Sequence, residues 1–369
     1  MRIVHLADLH LGFRAYSRTN DQGVNCREAD VFRTFRQALN KISTLKPDLL
    51  LIAGDVFHVT RPGNLAVVQT QRLLHNFIAT TGIETIVIAG NHESVKTRDS
   101  SCILELFGLI EGVRVVCQQA EVLMAGDIRV ACLPHNSLLE ADHLDLRPDR
   151  EAKYNVLMLH GTVDGNLVND AGGANVPADF LEMDWDYVAC GHFHGFRHMG
   201  RFIYYAGAIE RTSNDIWKEA EEEKGFIEFD LEHKKAIFHP LPTRKTIDLP
   251  TIDAANKTIE VLDKLIADNV KQTDITDAIV RQQVINLPKS LQNQLDYRQI
   301  RTFQAMALHY LFVPKPLSLS IDQSFPSAEQ KGSLYEEAEQ FFNSYAISPD
   351  IDRATFVKTG LDYLQKATV

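Results

Sequence analysis

The sequence offers no disulfide framework. Its 369 residues include only five cysteines, an odd number, and no two of them form a CxxC pair. Secreted domains often rely on paired cysteines, whereas proteins of a reducing compartment keep isolated thiols. The pattern therefore favours an intracellular protein, which we expect in the cytoplasm, close to the nucleoid in a prokaryote. The cysteines are Cys26, Cys102, Cys117, Cys132 and Cys190.

Long apolar runs are also missing. No stretch approaches the roughly 20 consecutive apolar residues that a membrane-spanning helix needs. The N-terminal sequence MRIVHLADLH runs directly into a strand pattern and lacks the apolar core of a signal peptide. We therefore expect neither membrane insertion nor secretion.

Positive charge is scarce. The chain carries 49 acidic and 38 basic residues, which gives a formal net charge of −11. Proteins that bind nucleic acid mainly through charge are usually basic, so a DNA-binding role would need local basic patches or a metal site. The phosphate-binding pattern GxxxxGK[ST] is absent as well. Any ATP that drives the protein must therefore be bound by a separate chain.

The residues that are present indicate a globular α/β protein. Apolar residues make up 45% of the chain and charged residues 24%. Up to residue 245, short apolar runs alternate with helical patterns, which favours a layered α/β sheet with buried strands. The five main runs are Ile3–Ala7, Leu49–Ala53, Thr85–Ala89, Val156–Leu159 and Tyr187–Cys190. Helices are expected at Asp30–Ser43 and Leu65–Thr80, and shorter strands of an added sheet at Phe202–Tyr205 and Phe226–Phe229.

The pattern changes after residue 245 and predicts three further segments. Residues 246–315 combine strand-like runs with a helix that places Ile259, Leu262 and Ile266 on one face, which predicts a compact α+β module. Residues 316–332 are rich in proline, serine and polar residues, as linkers are. Residues 333–369 predict two short helices that are too small to bury their apolar faces alone. This tail docks either on its own domain or on a partner, and both alternatives stay open.

Side chains that can bind a metal ion follow all five main runs. Ligands of open α/β sheets gather beyond the carboxyl ends of the strands, so these side chains are expected around one pocket. Side chains two residues apart on an extended segment point to the same side, so Asp8 with His10, and His192 with His194, can each face one point. Imidazole nitrogens with carboxylate and amide oxygens suit manganese, iron or zinc. The candidate ligands are Asp8, His10, Asp55, Asn91, His160, His192 and His194.

Seven ligands are too many for one ion with open positions. They fit two ions that share a carboxylate, and we favour Asp55 as the bridge because it follows a central strand. Each residue also has an ordinary explanation, since a single histidine after an apolar run is usually capped or packed, and Asp55 or Asn91 could be a turn residue. Five strand ends that all carry ligand-type residues favour the metal site. Glycines beside them would let the backbone approach the ions, and His5 is expected to be a packing residue.

The motifs, taken in order, resemble a known family. The series DLH, GDVFH, GNHE, LHG and GHFH is similar to the calcineurin-like metallophosphoesterase superfamily. The stretches ADLHLG, AGDVFHVTRP, LMLHG and YAGAIER shortly before KGF resemble one branch, the DNA double-strand-break repair nucleases called meiotic recombination eleven, or SbcD in bacteria. The motif resemblance covers residues 1–245 and extends by architecture to the α+β module and the tail.

The resemblance implies a layered β-sandwich flanked by helices and a two-metal site, with manganese expected and iron, zinc or magnesium as alternatives. His92 would stabilise charge at phosphorus or protonate the leaving oxygen, and His58 would position the DNA phosphate. Two residues depart from the branch, Glu93 where aspartate is common and Ala208 where serine is usual, and they leave substrate placement open. The implied ligand sets are Asp8, His10, Asp55 and His194 for one ion, and Asp55, Asn91, His160 and His192 for the other.

The same resemblance implies an activity and partners. The activity would be manganese-dependent 3′-to-5′ exonuclease and endonuclease cleavage of DNA ends and hairpins. Residues 246–315 would form a DNA-capping domain, and the helices of residues 333–369 would bind the coiled-coil base of an SMC-like zinc-hook ATPase of SbcC type. A homodimer is also implied.

Basic residues near the motifs are candidates for a DNA-binding rim. They lie in segments on the ligand side of the predicted sheet, where a phosphate backbone would approach. Scattered solvated charge is the alternative explanation for any one of them. The acidic run Glu219–Lys224 is expected to face solvent, away from DNA. The main candidates are Arg14, Arg61, Lys96, Arg98 and Arg197, and the wider set adds Arg18, Arg201 and Arg211.

Two other functions compete with the nuclease. A phosphomonoesterase or cyclic-nucleotide phosphodiesterase could use the same metal scaffold, because a fold does not fix the substrate. A non-enzymatic scaffold that binds DNA or an ATPase is the third candidate, and it is disfavoured because every ligand position is filled. Labelled DNA and small phosphate esters, each tested with manganese, would separate the first two.

Overall fold

The computed structural model describes residues 1–94, 101–138, 146–163, 175–176, 178–316, 334–345 and 352–367. They belong to two compact units, residues 1–316 and residues 317–369. Within the described ranges, no helix combines the length and the apolar composition that crossing a bilayer would require.

The strands of the described residues span much of the chain. In chain order they are β1 (Arg2–Leu6), β2 (Leu49–Ala53), β3 (Glu84–Ile88), β4 (Val113–Val116), β5 (Glu121–Ala125), β6 (Ile128–Leu133), β7 (Tyr154–His160), β8 (Thr162–Val163), β9 (Asn175–Val176), β10 (Tyr187–Gly191), β11 (Arg197–Gly200), β12 (Ile203–Tyr205), β13 (Gly225–Asp230), β14 (Lys235–Pro240), β15 (Thr246–Asp248), β16 (Ile252–Asp253), β17 (Ile279–Ile285) and β18 (His309–Pro314).

The helices are fewer, and a 3-10 helix also forms at Ile103–Leu109. In chain order the α-helices are α1 (Cys26–Leu45), α2 (Asn64–Thr81), α3 (His135–Leu138), α4 (Ala178–Leu181), α5 (Ile259–Lys271), α6 (Lys289–Gln292), α7 (Tyr297–Met306), α8 (Leu334–Ser344) and α9 (Arg353–Ala367). Helix α1 begins before the predicted Asp30 because the Asn25 side chain caps it, accepting hydrogen bonds from the backbone N–H groups of Arg27 and Glu28.

The first unit is built on two six-stranded sheets. One sheet has the order β14-β13-β1-β2-β3-β4, in which β1 to β4 are parallel. The other has the order β11-β12-β10-β7-β6-β5, in which β12, β10, β7 and β6 are parallel. The predicted layered α/β architecture is confirmed. The expected added sheet is wrong, because Phe226–Phe229 pairs with β1 in the first sheet and Phe202–Tyr205 with β10 in the second.

Alternate residues of the central strands pack on opposite faces of the first sheet. Leu51 of β2 packs with Met158 of the second sheet. Its neighbour Ile52 packs with Phe35 of α1 and Phe77 of α2 on the other face. Since both faces are buried, the strand has a continuous apolar sequence rather than an alternating one. Two layers of core therefore fix the relative position of the sheets, and with them the strand ends that carry the candidate ligands.

The α+β module expected at residues 246–315 contains a parallel four-stranded sheet. Strand β17 pairs with β15, β16 and β18. The predicted apolar helix face is present in α5, where Leu262 and Ile266 are buried against Val284 of β17. Ile300 of α7 packs with Val280 in a second cluster. Helices that cover a small parallel sheet give this module a core of its own.

The module is joined to the preceding part of the first unit by polar and apolar contacts. Arg244, just before the module, donates from Nη1 to the carbonyl oxygen of Asp277 in the module at 2.9 Å, and from Nε and Nη2 to the two carboxylate oxygens of Asp30 in α1, at 2.8 and 2.6 Å. Arg18 donates to the carbonyl oxygen of Ala307 at 2.6 Å. The rings of Tyr16 and His309 stack with centroids 3.9 Å apart. These contacts hold the module in one orientation against helix α1 and the segment before it.

The second unit contains the two tail helices that the sequence predicts. The ring of Phe356 on α9 contacts the rings of Phe342 and Tyr345, with centroids 5.7 and 6.1 Å apart. A Cβ atom at Gly360 would lie 2.7 Å from the Phe342 ring, so the glycine permits the close approach of the helices. Phe341 and Tyr363 remain 41% and 71% exposed. The predicted linker, residues 316–332, lies outside the described residues apart from its first position.

Candidate metal centre

Loops at the carboxyl ends of five parallel strands bring the candidate ligands together between the two sheets. Strands β1, β2 and β3 of the first sheet lead into four of them. In the second sheet, β7 ends in one of them, His160, and β10 leads into the other two. Most of these side chains are buried. The first sheet contributes Asp8, His10, Asp55 and Asn91, and the second contributes His160, His192 and His194.

The backbone at several candidate ligands is left-handed. Asp8, His10 and Asp55 have φ values of 50°, 47° and 50°, and His192 has a φ of 102°. A non-glycine residue in this region costs about 1–2 kcal/mol, and such strain concentrates at functional sites. We expected Asp8 and His10 to face one point because side chains alternate along an extended strand. That reason is wrong, since neither residue is extended. Both side chains reach the site because left-handed turns direct them there.

One group of ligand atoms is centred on His10. Its Nε2 atom lies 2.9 Å from the Nε2 atom of His194. A carboxylate oxygen of Asp8 completes the group, in which all three ligand atoms lie within 4.8 Å of one another. The backbone N–H of His192 donates to both oxygens of Asp8, at 3.0 and 3.1 Å, which orients that carboxylate.

A second group of ligand atoms surrounds Asn91. Its Oδ1 atom lies 3.0 Å from Nε2 of His160 and 3.0 Å from Nδ1 of His192. The other ring nitrogen of His160, Nδ1, lies 2.8 Å from the carbonyl oxygen of Ala53, so Nδ1 carries a proton and Nε2 is the nitrogen that a cation could bind. Although burial lowers it, the Asp55 carboxylate raises the pKa of His160 to about 9, so a cation would take the place of the Nε2 proton. His192 and His194 thus belong to different groups, although only one residue separates them in sequence.

Asp55 lies between the two groups. Its Oδ2 atom is 3.4 Å from Nε2 of His160 and 3.9 Å from Nε2 of His10. Its Oδ1 atom accepts a hydrogen bond from the backbone N–H of His92 at 3.0 Å. One carboxylate therefore reaches ligands of both groups, the geometry that a bridging ligand needs.

The donor set fits divalent cations. Burial lowers the pKa of His10 well below its ordinary value and that of His194 to about 4, so both imidazoles are neutral at neutral pH. Burial, together with the neighbouring Asp55 charge, raises the pKa of Asp8 to about 7. Buried carboxylates and neutral imidazoles that face one another gain from a cation between them, and nitrogen with oxygen donors suits manganese, iron or zinc.

A glycine at the end of β2 makes room for the site. Gly54 has a φ of 85°, a conformation that L-residues rarely adopt. A Cβ atom there would overlap the imidazole of His160. The sequence-based expectation that glycines permit close approach to the ligands is confirmed at this position.

The two histidines assigned catalytic roles lie at the outer edge of the His10 group. Nδ1 of His92 lies 2.5 Å from the carbonyl oxygen of His58, so Nδ1 carries a proton and Nε2 faces the site. That Nε2 atom is 3.8 Å from Oδ2 of Asp55, and the His92 side chain is 32% exposed. Nδ1 of His58 lies 3.4 Å from Nδ1 of His10. Both rings are thus within reach of a molecule that approaches from solvent.

Comparison with known proteins identifies the family. Residues 1–196, more than half of the chain, match the family model described as calcineurin-like phosphoesterase. The chain belongs to the calcineurin-like phosphoesterase family. Members of this family bind two divalent metals, which agrees with two ligand groups that share Asp55.

Relatives of this calcineurin-like phosphoesterase include proteins named DNA double-strand break repair protein Mre11. The one from Methanopyrus kandleri is 30% identical over 53% of this chain and 44% of its own length. The one from Sulfurisphaera tokodaii is 30% identical over 69% of this chain and 62% of its own. The one from Saccharolobus solfataricus is 24% identical over 90% of this chain and 87% of its own. The chain spans less than two thirds of the length of the first two relatives. The similarities confirm the resemblance to the repair branch.

Two of the basic residues predicted to bind DNA lie beside acidic side chains. Nε of Arg14 lies 3.4 Å from an oxygen of Glu28, although the Arg14 side chain is 66% exposed. Arg197 pairs with Glu222 at 3.1 Å. Arg61 is exposed. A DNA-binding role for Arg14, Arg61 and Arg197 stays a prediction, and Lys96 and Arg98 lie outside the described residues.

Two arginines of the wider set serve the fold. Arg211 is buried and donates to the carbonyl oxygens of Glu219, Ala220 and Glu222 at 2.7–3.0 Å. Arg18 donates to backbone carbonyls of the α+β module. Placing Arg211 in a DNA-binding rim is therefore wrong, because its guanidinium is enclosed by backbone oxygens.

The expectation for the acidic run Glu219–Lys224 is also wrong at both of its ends. The Lys224 side chain is fully buried and pairs with Oε2 of Glu219 at 2.7 Å. Its Nζ atom also donates to the carbonyl oxygen of His194 at 2.8 Å. A composition rule predicts solvent for a charge run, but paired charges can be buried when they neutralise one another. The signal in the sequence is the single lysine that follows the acids.

The two departures from the repair branch, Glu93 and Ala208, both lie beside loops that carry candidate ligands. Glu93 is fully buried, and its carboxylate accepts hydrogen bonds from the backbone N–H groups of Phe57 and Gly90, at 2.6 and 3.0 Å. It thereby ties the loop after β2 to the loop after β3. Ala208 donates its backbone N–H to the carbonyl oxygen of His194 at 3.0 Å. That bond does not require a serine side chain, so the substitution leaves it intact.

Proposed function

We propose that this chain is the nuclease subunit of a DNA double-strand-break repair complex. It would hydrolyse DNA phosphodiesters at ends and hairpins, as a 3′-to-5′ exonuclease and an endonuclease. The observation that carries the proposal is the convergence of two ligand groups on Asp55. His92 and His58 lie beside these groups and remain within reach of solvent. The similarity to Mre11 proteins supports DNA as the substrate.

The ligand groups would hold two manganese ions, with iron, zinc or magnesium as the alternatives. Asp55 would be shared between them. When bound, such an ion pair supplies Lewis acidity that activates water and neutralises charge on a phosphate. One ion would be held by Asp8, His10, Asp55 and His194, and the other by Asp55, Asn91, His160 and His192.

His92 and His58 would act on the phosphate itself. Because the carbonyl oxygen of His58 holds the proton of His92 on Nδ1, Nε2 of His92 is the atom that would face the scissile group. In its protonated form it would donate to the developing charge at phosphorus or to the departing sugar oxygen. His58, whose ring centroid lies 5.4 Å from that of His10, would orient the phosphate by hydrogen bonding.

Partner binding would use the parts of the chain outside the phosphoesterase sheets. Residues 246–315 would act as a DNA-capping domain beside the site, and a homodimer would bind the two DNA strands or ends. The tail helices expose Phe341 and Tyr363, and exposed aromatic side chains on an amphipathic helix pair suit a helix-in-groove contact. The proposed partner is the coiled-coil base of an SMC-like zinc-hook ATPase of SbcC type.

Cleavage of end-labelled duplex and hairpin DNA, with and without manganese, tests the proposal. We expect cleavage only with the metal, and none by an Asp55→Asn variant. Small phosphate monoesters and cyclic nucleotides serve as competing substrates under the same conditions. Hydrolysis of the small esters alone would contradict the nuclease and favour a phosphomonoesterase or cyclic-nucleotide phosphodiesterase.

A further inference from the structure

His194 is supported by two charged side chains that the proposed mechanism does not use. Its Nε2 atom faces Nε2 of His10 at 2.9 Å. Its other ring nitrogen, Nδ1, is buried and makes no hydrogen bond among the described residues. Oε1 of Glu219 lies 3.8 Å from that Nδ1 atom. A carboxylate therefore stands behind the imidazole, on the side opposite the candidate metal position.

Glu219 is held in place by Lys224. The Nζ atom of Lys224 lies 2.7 Å from Oε2 of Glu219 and donates to the carbonyl oxygen of His194 at 2.8 Å. One lysine thus fixes both the carboxylate beside the His194 ring and the backbone that carries the ring. Burying an ammonium group is costly unless good partners are supplied, and here they are a carboxylate and a carbonyl oxygen.

The chemistry of imidazole ligands accounts for this arrangement. A neutral imidazole carries its proton on one ring nitrogen, and only the other nitrogen can bind a metal. A carboxylate beside Nδ1 keeps the proton there and directs the Nε2 lone pair toward the metal. The separation of 3.8 Å exceeds a hydrogen bond, and a relative shift of about 1 Å would close it.

We propose that Glu219 and Lys224 are a positioning pair for His194. Glu219 accepts a hydrogen bond from the Nδ1–H group of His194 when the two groups close on each other, and Lys224 holds Glu219 and the His194 carbonyl group. The inference rests on the proposed function, because it requires His194 to bind a metal. The pair touches neither substrate nor metal. It should therefore control the affinity of the position shared by His194 and His10 and spare the position at Asn91.

Glu222 supplies a matched control. Its Oε2 atom lies 3.5 Å from the same lysine, and its Oε1 atom pairs with Arg197. Glu222→Gln removes the same charge from the surroundings of Lys224 as Glu219→Gln does. It leaves the carboxylate beside Nδ1 of His194 in place. The two variants therefore separate a specific contact with the ring from a general change in local charge.

The test is calorimetric titration of the metal-free full-length protein with manganese. Glu219→Gln should weaken one of the two sites by roughly 10–100-fold and leave the other unchanged. His194→Ala should lose the same site that Glu219→Gln weakens. Glu222→Gln should bind as the wild type does. Thermal unfolding in chelator should come at a lower temperature for Glu219→Gln than for the wild type, because the buried Lys224 ammonium group loses its carboxylate partner, so the positioning role is read from the selective weakening of one site and not from stability.

Two results would overturn the positioning pair while the proposed function stands. One is wild-type affinity at both sites in Glu219→Gln. The other is equal weakening of both sites, which would indicate a purely structural role. A wild-type protein that binds no manganese would instead overturn the proposed function, and the pair with it. Lys224→Met should reproduce Glu219→Gln, and if it does not fold, the isosteric Glu219→Gln alone decides.

Discussion

Nε2 of His10 lies 2.9 Å from Nε2 of His194. His10 follows β1 in the first sheet and His194 follows β10 in the second, so this contact crosses the gap between the sheets. Each ring directs a nitrogen at the other, and the low pKa of both histidines leaves them neutral. A cation at this point would bind both sheets at once, which couples metal binding to the stability of the fold.

Removing the metal should lower the thermal stability of the protein. A ligand that binds only the folded state stabilises it by about 2.7 kcal/mol at 100 times its dissociation constant. Scanning calorimetry should therefore show a higher unfolding temperature with manganese than with chelator. Asp55→Asn should abolish the difference, since the Asp55 carboxylate reaches both ligand groups. An equal manganese effect in this variant would contradict the shared-ligand geometry.

Replacing Gly54 with alanine should damage both stability and metal binding. The new Cβ atom would overlap the His160 ring and would also occupy a left-handed conformation. Gly23 has a similar φ of 74°, and a Cβ atom there would meet nothing within 4 Å, so Gly23→Ala tests conformational strain alone. We expect Gly23→Ala to cost about 1–2 kcal/mol of unfolding free energy and Gly54→Ala to cost more. Only Gly54→Ala should weaken manganese binding in a titration.

Changing His92 to glutamine should remove catalysis and spare the metals. His92 contacts the site from its outer edge, with its Nε2 atom 3.8 Å from Oδ2 of Asp55. Loss of a proton donor to the leaving group typically costs about 10²–10⁴-fold in rate, measured as kcat on labelled duplex DNA. Manganese affinity should stay at the wild-type value. His75→Gln, on the exposed face of α2, should keep full activity, and loss of metal in His92→Gln would reassign His92 as a ligand.

The fold was predictable where apolar runs are long and buried on both faces. The run Leu49–Ala53 is recovered without change, and α2 differs from its predicted bounds by one residue at each end. Strands β4 and β5 have no counterpart among the predicted runs. Both are short, and β5 is largely exposed. Such a strand depends on pairing with its neighbour, which local sequence does not encode.

The sequence predicted which residues form the site, but not the backbone conformation that brings them together. Five strand ends with ligand-type residues predict convergence, because parallel strands end at one edge of a sheet. The left-handed turns at Asp8 and His10 were missed, since neither residue type dictates a positive φ. Glu219 and Lys224 were assigned to solvent because an acidic run usually lies there. Their burial depends on contacts with the GHFH loop. That loop lies about 25 residues earlier in the chain, so local sequence gives no sign of the contact.

Deleting residues 333–369 should abolish copurification with an SMC-like ATPase. The tail helices expose Phe341 and Tyr363, which a partner groove could bury. Manganese binding should be unaffected, because every candidate ligand lies within residues 1–194. A Phe341→Ser, Tyr363→Ser variant should weaken copurification without removing the helices, as circular dichroism would show. Unchanged copurification after the deletion would place the partner contact elsewhere.

Asp30 should contribute strongly to stability, and it holds Arg244, which in turn donates to the carbonyl oxygen of Asp277 in the α+β module at 2.9 Å. Its side chain is 1% exposed and accepts hydrogen bonds from the guanidinium groups of Arg27, Arg33 and Arg244 at 2.6–2.9 Å. Asp30→Asn would leave buried guanidinium charge without its carboxylate. The expected loss of unfolding free energy is about 3–5 kcal/mol, measured by urea denaturation. Hydrogen exchange in residues 246–316 should accelerate as well.

Asp248 provides the control for Asp30, and pH provides an independent check. Asp248 also forms a two-bond pair, with Arg281, but its side chain is 32% exposed, so Asp248→Asn should cost about 1 kcal/mol or less. Although burial alone would raise the pKa of Asp30, its arginine partners hold that pKa below the ordinary value. The contribution of Asp30 is therefore complete above an unfolded pKa of about 3.9 and fades as the pH falls through the lower folded pKa. A stability difference between wild type and Asp30→Asn that stays constant as the pH falls through this range would contradict the ion pairing.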